Sequence, residues 1–402
     1  MSTSSTSPGV DLLYSEVENS LRQSVRDLLT AQCTPARVIA LYDGEGGLQP
    51  RLWSELSVDL GLAGLLVPEE RGGAGASARE AAVVMEELGR FVAPVSFLTS
   101  AVVATTALRG TNHEILDGLG AGQRTAALTV PLHLSAFGFR ATVRVDDEGR
   151  LYGAVTSVAG ALDADVLVVP VRNDAGVELH LVDVDGVGVT VEAVTSLDMT
   201  RQLADIVFTG ADATLVVAAD AGDAAVREAL EIGAALLASE QLGVAQWCLD
   251  RLVSYLRDRK QFGRPIGGLQ AIKHRLADLY VLIESARAAA RYAAATAADG
   301  DPDREVAASV AQAFCSEVAV KAAEECVQLH GGIGMTWEYP AHLYLKRAKA
   351  DQIAFGTAGT HRQRLGELVD LNRATEIGLR SIHETRHPWV DSLPVTSRNQ
   401  RE

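Results

Sequence analysis

Residues 257–278 read RDRKQFGRPIGGLQAIKHRLAD and set Arg257, Arg259, Lys260 and Arg264 around a turn that holds Phe262, Gly263 and Pro265. Guanidiniums near a helix end and beside an aromatic ring can hold an anionic group such as a pyrophosphate by paired hydrogen bonds. The same residues also suit a solvated basic turn, and the segment alone does not choose. Two glycine clusters, Gly72–Gly75 and Gly331–Gly334, let backbone approach a ligand, yet neither follows a predicted strand, so a dinucleotide fingerprint fails and each reads as a turn. The segment His383-Glu384-Thr385-Arg386-His387 matches H-E-x-x-H, which would set two imidazoles on zinc one helical turn apart. Pro388 biases His387 away from helix, and only Asp391 and Glu402 follow as carboxylates, so no metal is expected.

Helices and strands must position these groups. Leu12, Val17, Leu21, Val25 and Leu28–Leu29 recur at helical spacing, Leu52–Leu66 continues the pattern up to a breaker at Pro68–Gly75, and another helix runs through Glu86-Glu87-Leu88-Gly89. Residues 1–120 are therefore predicted as an N-terminal helical domain. Phe91–Leu108 is uncharged, but with Pro94 and several Ser and Thr inside it reads as a buried core helix rather than a membrane span. Over residues 121–219 the period changes to short β-branched runs (RTAALTV, RATVRV, ADVLVVPV, VELHLVDV, ADIVF) between Asp-, Asn- and Gly-rich turns, which predicts a middle antiparallel β domain. No strand is followed by a helix of crossover length, which disfavours a parallel dinucleotide fold. Residues 220–390 return to long helices, near Val226–Tyr255, Leu269–Ala298, Asp303–Leu329 and Ala341–Leu371, which short connections would fold into a C-terminal four-helix bundle; residues 391–402 read as a loose tail. Trp247 and Phe314 fall at core positions of these helices. The fold class predicted is α+β.

The 402 residues carry 36 basic against 52 acidic side chains, and the resulting charge of −16 argues against a broad nucleic-acid-binding surface. Cys33, Cys248, Cys315 and Cys326 are scattered, and the first residues lack a basic-then-apolar leader, so a reducing, cytoplasmic setting is expected with no membrane partner.

At this point the motifs carry a resemblance. Arg259–Ile266 followed by Leu269-Gln270-Ala271-Ile272 is similar to the R-x-x-F-G…Q segment of acyl-CoA dehydrogenases, as is Gln328-Leu329-His330-Gly331-Gly332-Ile333-Gly334 with Trp337-Glu338-Tyr339-Pro340 after it. Leu60-Gly61-Leu62 leading to Pro68-Glu69-Glu70 and Gly72-Gly73 also looks like that family, and the resemblance runs from about Val10 to Leu371. It implies α,β-dehydrogenation of an acyl thioester, on coenzyme A or a carrier protein, with FAD held between subunits of a tetramer and an electron-transfer flavoprotein as acceptor. It further implies that Arg259 and Gln270, with Gln261 beside them, contact the FAD pyrophosphate and neighbouring atoms, that Phe262 packs near the adenine side, and that Gln328, Gly331 and Gly332 bind the other end of the same cofactor region, with Thr357 completing the set. In the family these groups reach mainly into a partner's cofactor.

The chain departs from that pattern where the chemistry should be. The family needs a carboxylate to remove the α-proton of the thioester, commonly in an E-G-T run; here the run is Ala354-Phe355-Gly356-Thr357, so the base position holds Phe355. The other family position for the base, on the first bundle helix, falls at Gly233, with Glu231 as a weak replacement two residues away on a different helical face. The family's T-E-P-x-x-G-S-D segment is replaced by TVPLHLSAF at 129–137. Groups that act across an interface are thus present, and groups that act within the subunit are eroded. The reading this favours is the subunit that completes the FAD sites of a heteromeric enzyme, like the paired actinobacterial dehydrogenases of steroid side-chain β-oxidation. A self-sufficient dehydrogenase using Glu231, a same-fold flavoenzyme with other chemistry such as monooxygenation or carrier-bound thioester tailoring, and a flavin-free structural protein stay open. His330 reads equally as a cofactor contact or as a surface or capping histidine, and Lys346-Arg347, where the family often has Arg-Asp, as a solvated helix face or a surface for an acidic partner.

Overall fold

The computed structural model describes residues 11–44 and 47–371; the H-E-x-x-H segment and the predicted tail lie outside the described residues. The N-terminal part comprises α1 (Glu16–Gln32), α2 (Pro35–Tyr42), α3 (Leu48–Ser54), α4 (Ala78–Phe91), α5 (Phe97–Leu108) and α6 (Ile115–Gly120). Helices α1 and α4 each open on a capping box, Ser15 with Glu18 and Ser77 with Glu80, which satisfies amides that the first turn leaves free. The expected single run Leu52–Leu66 is broken: α3 ends at Ser54, a wide turn covers Glu55–Asp59, and Gly61 adopts a left-handed φ of 67°. Apolar spacing survives the break, so the sequence could not show it. The buried apolar helix begins at Phe97, not Phe91, because Val92 is left-handed and Pro94 follows.

The middle part is an eight-stranded sheet in the order β6-β7-β3-β2-β4-β5-β8, with β1 also on β4. Its strands are β1 (Ala126–Leu128), β2 (Val143–Val145), β3 (Leu151–Ala159), β4 (Val166–Asn173), β5 (Gly176–Asp183), β6 (Val189–Val194), β7 (Leu203–Ala211) and β8 (Thr214–Val217). Strands β3, β6 and β8 have no counterpart among the predicted runs. The antiparallel expectation holds for the other pairings and is corrected at one edge, which makes the sheet mixed: β1 and β2 lie end to end along β4, both parallel to it, through Ala126↔Val166 and Val143↔Val171. The chain leaves the sheet after β1, makes an excursion over residues 129–142, and rejoins in the same direction. Alternation and turn residues reveal strands, but not which edges pair.

The C-terminal part holds α7 (Gly222–Asp258), the two-residue strands β9 (Lys260–Gln261) and β10 (Arg264–Pro265), then α8 (Gln270–Asp299), α9 (Arg304–His330), α10 (Ala341–Asp351) and α11 (Ala358–Leu368). The last predicted helix is thus two helices, divided at the turn that carries Phe355. Among the described residues one helical stretch, Arg304–Met335, is long and apolar enough to cross a membrane, and 72% of its apolar window is buried inside the fold. Helices α4 and α7 cross at glycines: a Cβ on Gly89 would lie 2.1 Å from Glu240 O, and one on Gly243 would lie 2.0 Å from Glu86 O. Only glycine permits that approach.

The crossing delivers Glu240 to a buried ion cluster. Arg347 donates to Asp198 (2.6 Å), to Thr200 Oγ1 (2.6 Å) and to Glu240, while Arg201 donates to Glu240 (2.6 Å) and to Asp351. The solvated-face reading of Lys346-Arg347 is therefore corrected. Arg347 is 2% exposed, and Lys346 sits over the Tyr42 and Trp337 rings at 4.3 and 4.2 Å. The cluster ties the segment before β7 to α7 and α10, so it joins sheet and bundle. Arg347→Leu would strand Asp198 and Glu240 without their shared cation in a dry interior, and we expect a loss of about 3–5 kcal/mol, measured as a lowered urea midpoint.

Candidate active site and its comparison with known proteins

The residues singled out by sequence fall into two groups at opposite ends of α9. Arg259, Gln261 and Phe262 lie on the β9–β10 hairpin, Gln270 is the first residue of α8, Gln328 is in the last turn of α9, and Gly331 and Gly332 follow it; all are exposed. Two contacts hold this end together: Tyr255, whose carbonyl accepts from Arg259 N, donates its hydroxyl to His330 O at 3.3 Å, and Arg275 pairs with Glu325 at 2.6 Å. The hairpin loop is Phe262-Gly263, with φ of 53° and 74°. A two-residue loop with both φ positive is the turn that Asn-Gly fills without strain, so Phe262 is held in a costly conformation with its side chain outward and 90% exposed. Gly331 is also left-handed, and a Cβ at Gly331 or Gly332 would meet nothing within 4 Å. This end therefore presents a cation, three amide side chains and open backbone to something outside the chain.

His330 lies beneath that surface rather than on it. It is 3% exposed, one ring nitrogen lies 2.6 Å from Cys326 O and the other 2.6 Å from the Tyr339 hydroxyl. The carbonyl can only accept, so Nδ1 carries the proton and the Tyr339 hydroxyl donates to Nε2. It props the glycine turn from below.

Thr357 does not join this group. His361, in the first turn of α11, lies 3.3 Å from Ser309 near the start of α9, and Ser309 is about 28 Å from Gln328 along that helix. Thr357 caps α11, its Oγ1 accepting from Thr360 N at 3.3 Å.

The second group surrounds Phe355. Its ring is buried against Gly233 and α5: a Cβ placed on Gly233 would lie 2.9 Å from Phe355 Cζ and 3.0 Å from Val103 Cγ2. The two positions at which the sequence comparison sought a base are thus in contact, and neither carries a carboxylate. Glu231 turns away. It pairs with Arg304 at 3.1 Å, burial raising its pKa and Arg304 opposing that shift. Phe355 itself has a left-handed φ of 54°. Its amide donates to Leu132 O at 2.7 Å, Leu132 N donates to Ser157 O at 3.0 Å, and Ser157 is left-handed as well. Two strained non-glycine residues therefore clamp the β1–β2 excursion between sheet and bundle. The rest of the excursion folds onto α7 and α11: Phe137 meets His361 edge-on at 5.5 Å, and Arg227 lies over Phe139 at 5.9 Å while donating to Ala136 O. Beside Phe355 only a small recess of about 20 Å³ remains, lined by Thr99, Val103, Val130, Leu132, Leu230, Phe355 and three other residues, none of them acidic or basic. Sequence reading missed how Ser135–Phe139 packs onto α7 and α11, because an irregular segment has no period.

Two family models match the chain, the N-terminal domain of acyl-CoA dehydrogenases over residues 15–115 and the C-terminal domain over residues 220–369. The chain belongs to the acyl-CoA dehydrogenase family. It is 34% identical over 351 residues to acyl-CoA dehydrogenase IpdE2 of Mycolicibacterium smegmatis, an alignment that spans 87% of this chain and 98% of the relative. Among solved structures, a Tcur3481-Tcur3483 steroid ACAD variant matches with a TM-score of 0.79 at 31% identity over 89% of this chain and 99% of that one. The ChsE4-ChsE5 complex from Mycobacterium tuberculosis matches with a TM-score of 0.79 at 26% identity over 90% and 99%.

Members of the family depend on FAD. The outward end has groups of the kind that could hold the polar part of such a cofactor: a cation on Arg259, amides on Gln261, Gln270 and Gln328, and approachable backbone at the two glycines. The inner space does not offer the same fit, because Phe355, Phe137 and Phe139 crowd the region between sheet and bundle. Gly233→Ala in α7 should cost about 1–3 kcal/mol by pressing on Phe355. Pairing it with Phe355→Leu, whose shorter side chain withdraws the atoms in the way, should recover most of that loss in a double-mutant cycle of denaturation midpoints; simple additivity would refute the contact as the cause.

Proposed function

We propose that this chain is the subunit of a two-component FAD-dependent acyl-CoA dehydrogenase that completes its partner's cofactor site and supplies no catalytic base. The observation that carries this reading is the contact between Phe355 and Gly233, the two positions at which the family's carboxylate is sought. Bound FAD supplies the acceptor for the hydride that leaves the β-carbon of the acyl thioester. The α-proton needs a base, and phenylalanine cannot take it, so that role falls to the related subunit. In this reading Arg259 neutralises pyrophosphate charge, Gln261, Gln270 and Gln328 hold neighbouring polar atoms, Gly331 and Gly332 let backbone approach the cofactor, and Phe262 reaches the adenine side. Thr357 serves the subunit's own turn.

The strained hairpin supports the same division of labour. A left-handed phenylalanine with a ring in water is retained where asparagine would relieve the backbone, which is understandable if the ring has a partner outside the chain. The steroid ACAD and the ChsE4-ChsE5 complex among the structural relatives support an acyl thioester with a bulky acyl part and an assembly of two unlike subunits, which we take to be a dimer of dimers. The four free cysteines suit a reducing, cytoplasmic setting, with an electron-transfer flavoprotein as the electron acceptor. The Arg304 pairing of Glu231 argues against a self-sufficient enzyme.

The deciding experiment is native mass together with flavin absorbance, for the chain alone and for the chain co-expressed with a glutamate-bearing paralogue. The chain alone should be colourless, and the complex yellow with FAD on the partner's side; a yellow homo-oligomer with about one FAD per chain would sink the proposal. In the complex, Arg259→Ala should weaken FAD binding by about 10- to 100-fold, the range of a lost charge-assisted hydrogen bond. Phe262→Asn should leave the chain as stable as before or more so while still weakening FAD; unchanged FAD affinity would remove the ring from the cofactor site.

A further inference from the structure

The centre of the α7, α9 and α10 packing holds polar atoms that ion pairing does not satisfy. Gln312 Nε2 donates to Ala354 O at 2.8 Å and to Asp351 O at 3.2 Å, which fixes the orientation of its amide. Its Oε1 therefore accepts from Gln241 Nε2 at 3.2 Å, and Gln241 Nε2 also donates to Asp351 O at 3.2 Å. With both amides fixed, Gln241 Oε1 is buried and has no donor. Asp351 Oδ2 is in the same condition, while its Oδ1 accepts from Arg201. Gln241, Gln312 and Asp351 are each 0% exposed, so bulk water does not complete the set.

Charge counting points the same way. Facing Asp351 are Glu240 from α7, Asp198 and Arg201 from the segment before β7, and Arg347 from its own helix, with the Tyr42 hydroxyl 3.5 Å from Asp198 and Lys346 over the Tyr42 ring. Helix α9 contributes the neutral Gln312 there. On the turn that follows α10, His361 bonds Phe355 O at 3.0 Å, and burial keeps its pKa below the ordinary value. With every acid ionised, the dry cluster would hold three carboxylates against two guanidiniums. A proton on Oδ2 balances the charges and turns that orphaned acceptor into a donor beside the Glu240 carboxylate, which shares the Arg201 guanidinium with Asp351.

We propose that Asp351 takes up a proton in the folded protein as the pH falls through neutrality and acts as a pH-sensitive latch, fastening the sheet segment Asp198–Arg201 and the α10–α11 turn to α7. Burial, reinforced by Glu240, pushes the Asp351 carboxyl up to about 7, against the pull of Arg201 and Arg347. Asp198 behaves oppositely: burial would raise it, but Arg347 and Thr200 hold it below the ordinary carboxylate range. The consequences for stability have opposite signs. Asp198 contributes stability above its unfolded pKa and loses it in acid. A group raised like Asp351 binds more protons folded than unfolded, so its contribution falls as pH rises from about 4 to about 7.

The test compares thermal unfolding of the full-length wild type with Asp351→Asn between about pH 5.5 and pH 8.5. Asparagine keeps the shape and supplies a permanent donor where the protonated acid has one. We expect the variant's melting temperature to gain on the wild type by several degrees across that window, and equal pH slopes would overturn the latch. Should the variant fail to fold, carboxyl carbon shifts in Asp-labelled wild type decide: one aspartate titrating near 7 supports the proposal, and titration of every aspartate below about pH 5 overturns it.

Discussion

A cluster of charged groups, Arg201, Arg347, Asp198, Glu240 and Asp351, four of them fully enclosed, joins the segment before β7 to the bundle and fixes how the two meet. Hydrophobic burial joins the helices to each other, but it has little directional preference and would tolerate the sheet at several angles. Guanidiniums bonded to particular carboxylate oxygens in a dry interior do not tolerate such freedom, because any displacement leaves charge uncompensated. The close crossing at Gly89 and Gly243 is part of the same device, since it brings the α7 backbone at Glu240 against α4.

With sheet and bundle fixed, the β1–β2 excursion has little room. Phe355 N bonds Leu132 O, Leu132 N bonds Ser157 O, and both Phe355 and Ser157 take left-handed backbone to do so. Strain of this kind persists only where the surroundings overdetermine it. Here it holds an aromatic ring against Gly233, the pair of positions at which the sequence comparison sought a carboxylate. The inner space is apolar and largely filled by the chain's own residues.

The far end of the bundle has the opposite character. Its hairpin, amides and glycines face outward, and its strained residue, Phe262, is exposed rather than packed. One molecule thus carries exposed polar groups at one end and an apolar, filled interior at the other, and the proposed role in an assembly with a related subunit rests on that contrast.

Much of this was legible in the sequence. The change of period from helix to strand and back marked the α+β order, and the RKQFGRPI and QLHGGIG segments marked the outward end, because helical spacing, turn chemistry and short motifs are local properties. That Phe355 and Gly233 carry no carboxylate was also local. Only the tertiary structure decided that these two positions touch, that Glu231 is engaged by Arg304 instead, that β1 and β2 run parallel to β4, and that Arg347 is the centre of a buried cluster rather than part of a wet surface. These facts depend on contacts between residues far apart in the chain: a lysine-arginine pair reads the same wet or dry, until Asp198 and Glu240 are brought to it by segments more than a hundred residues away.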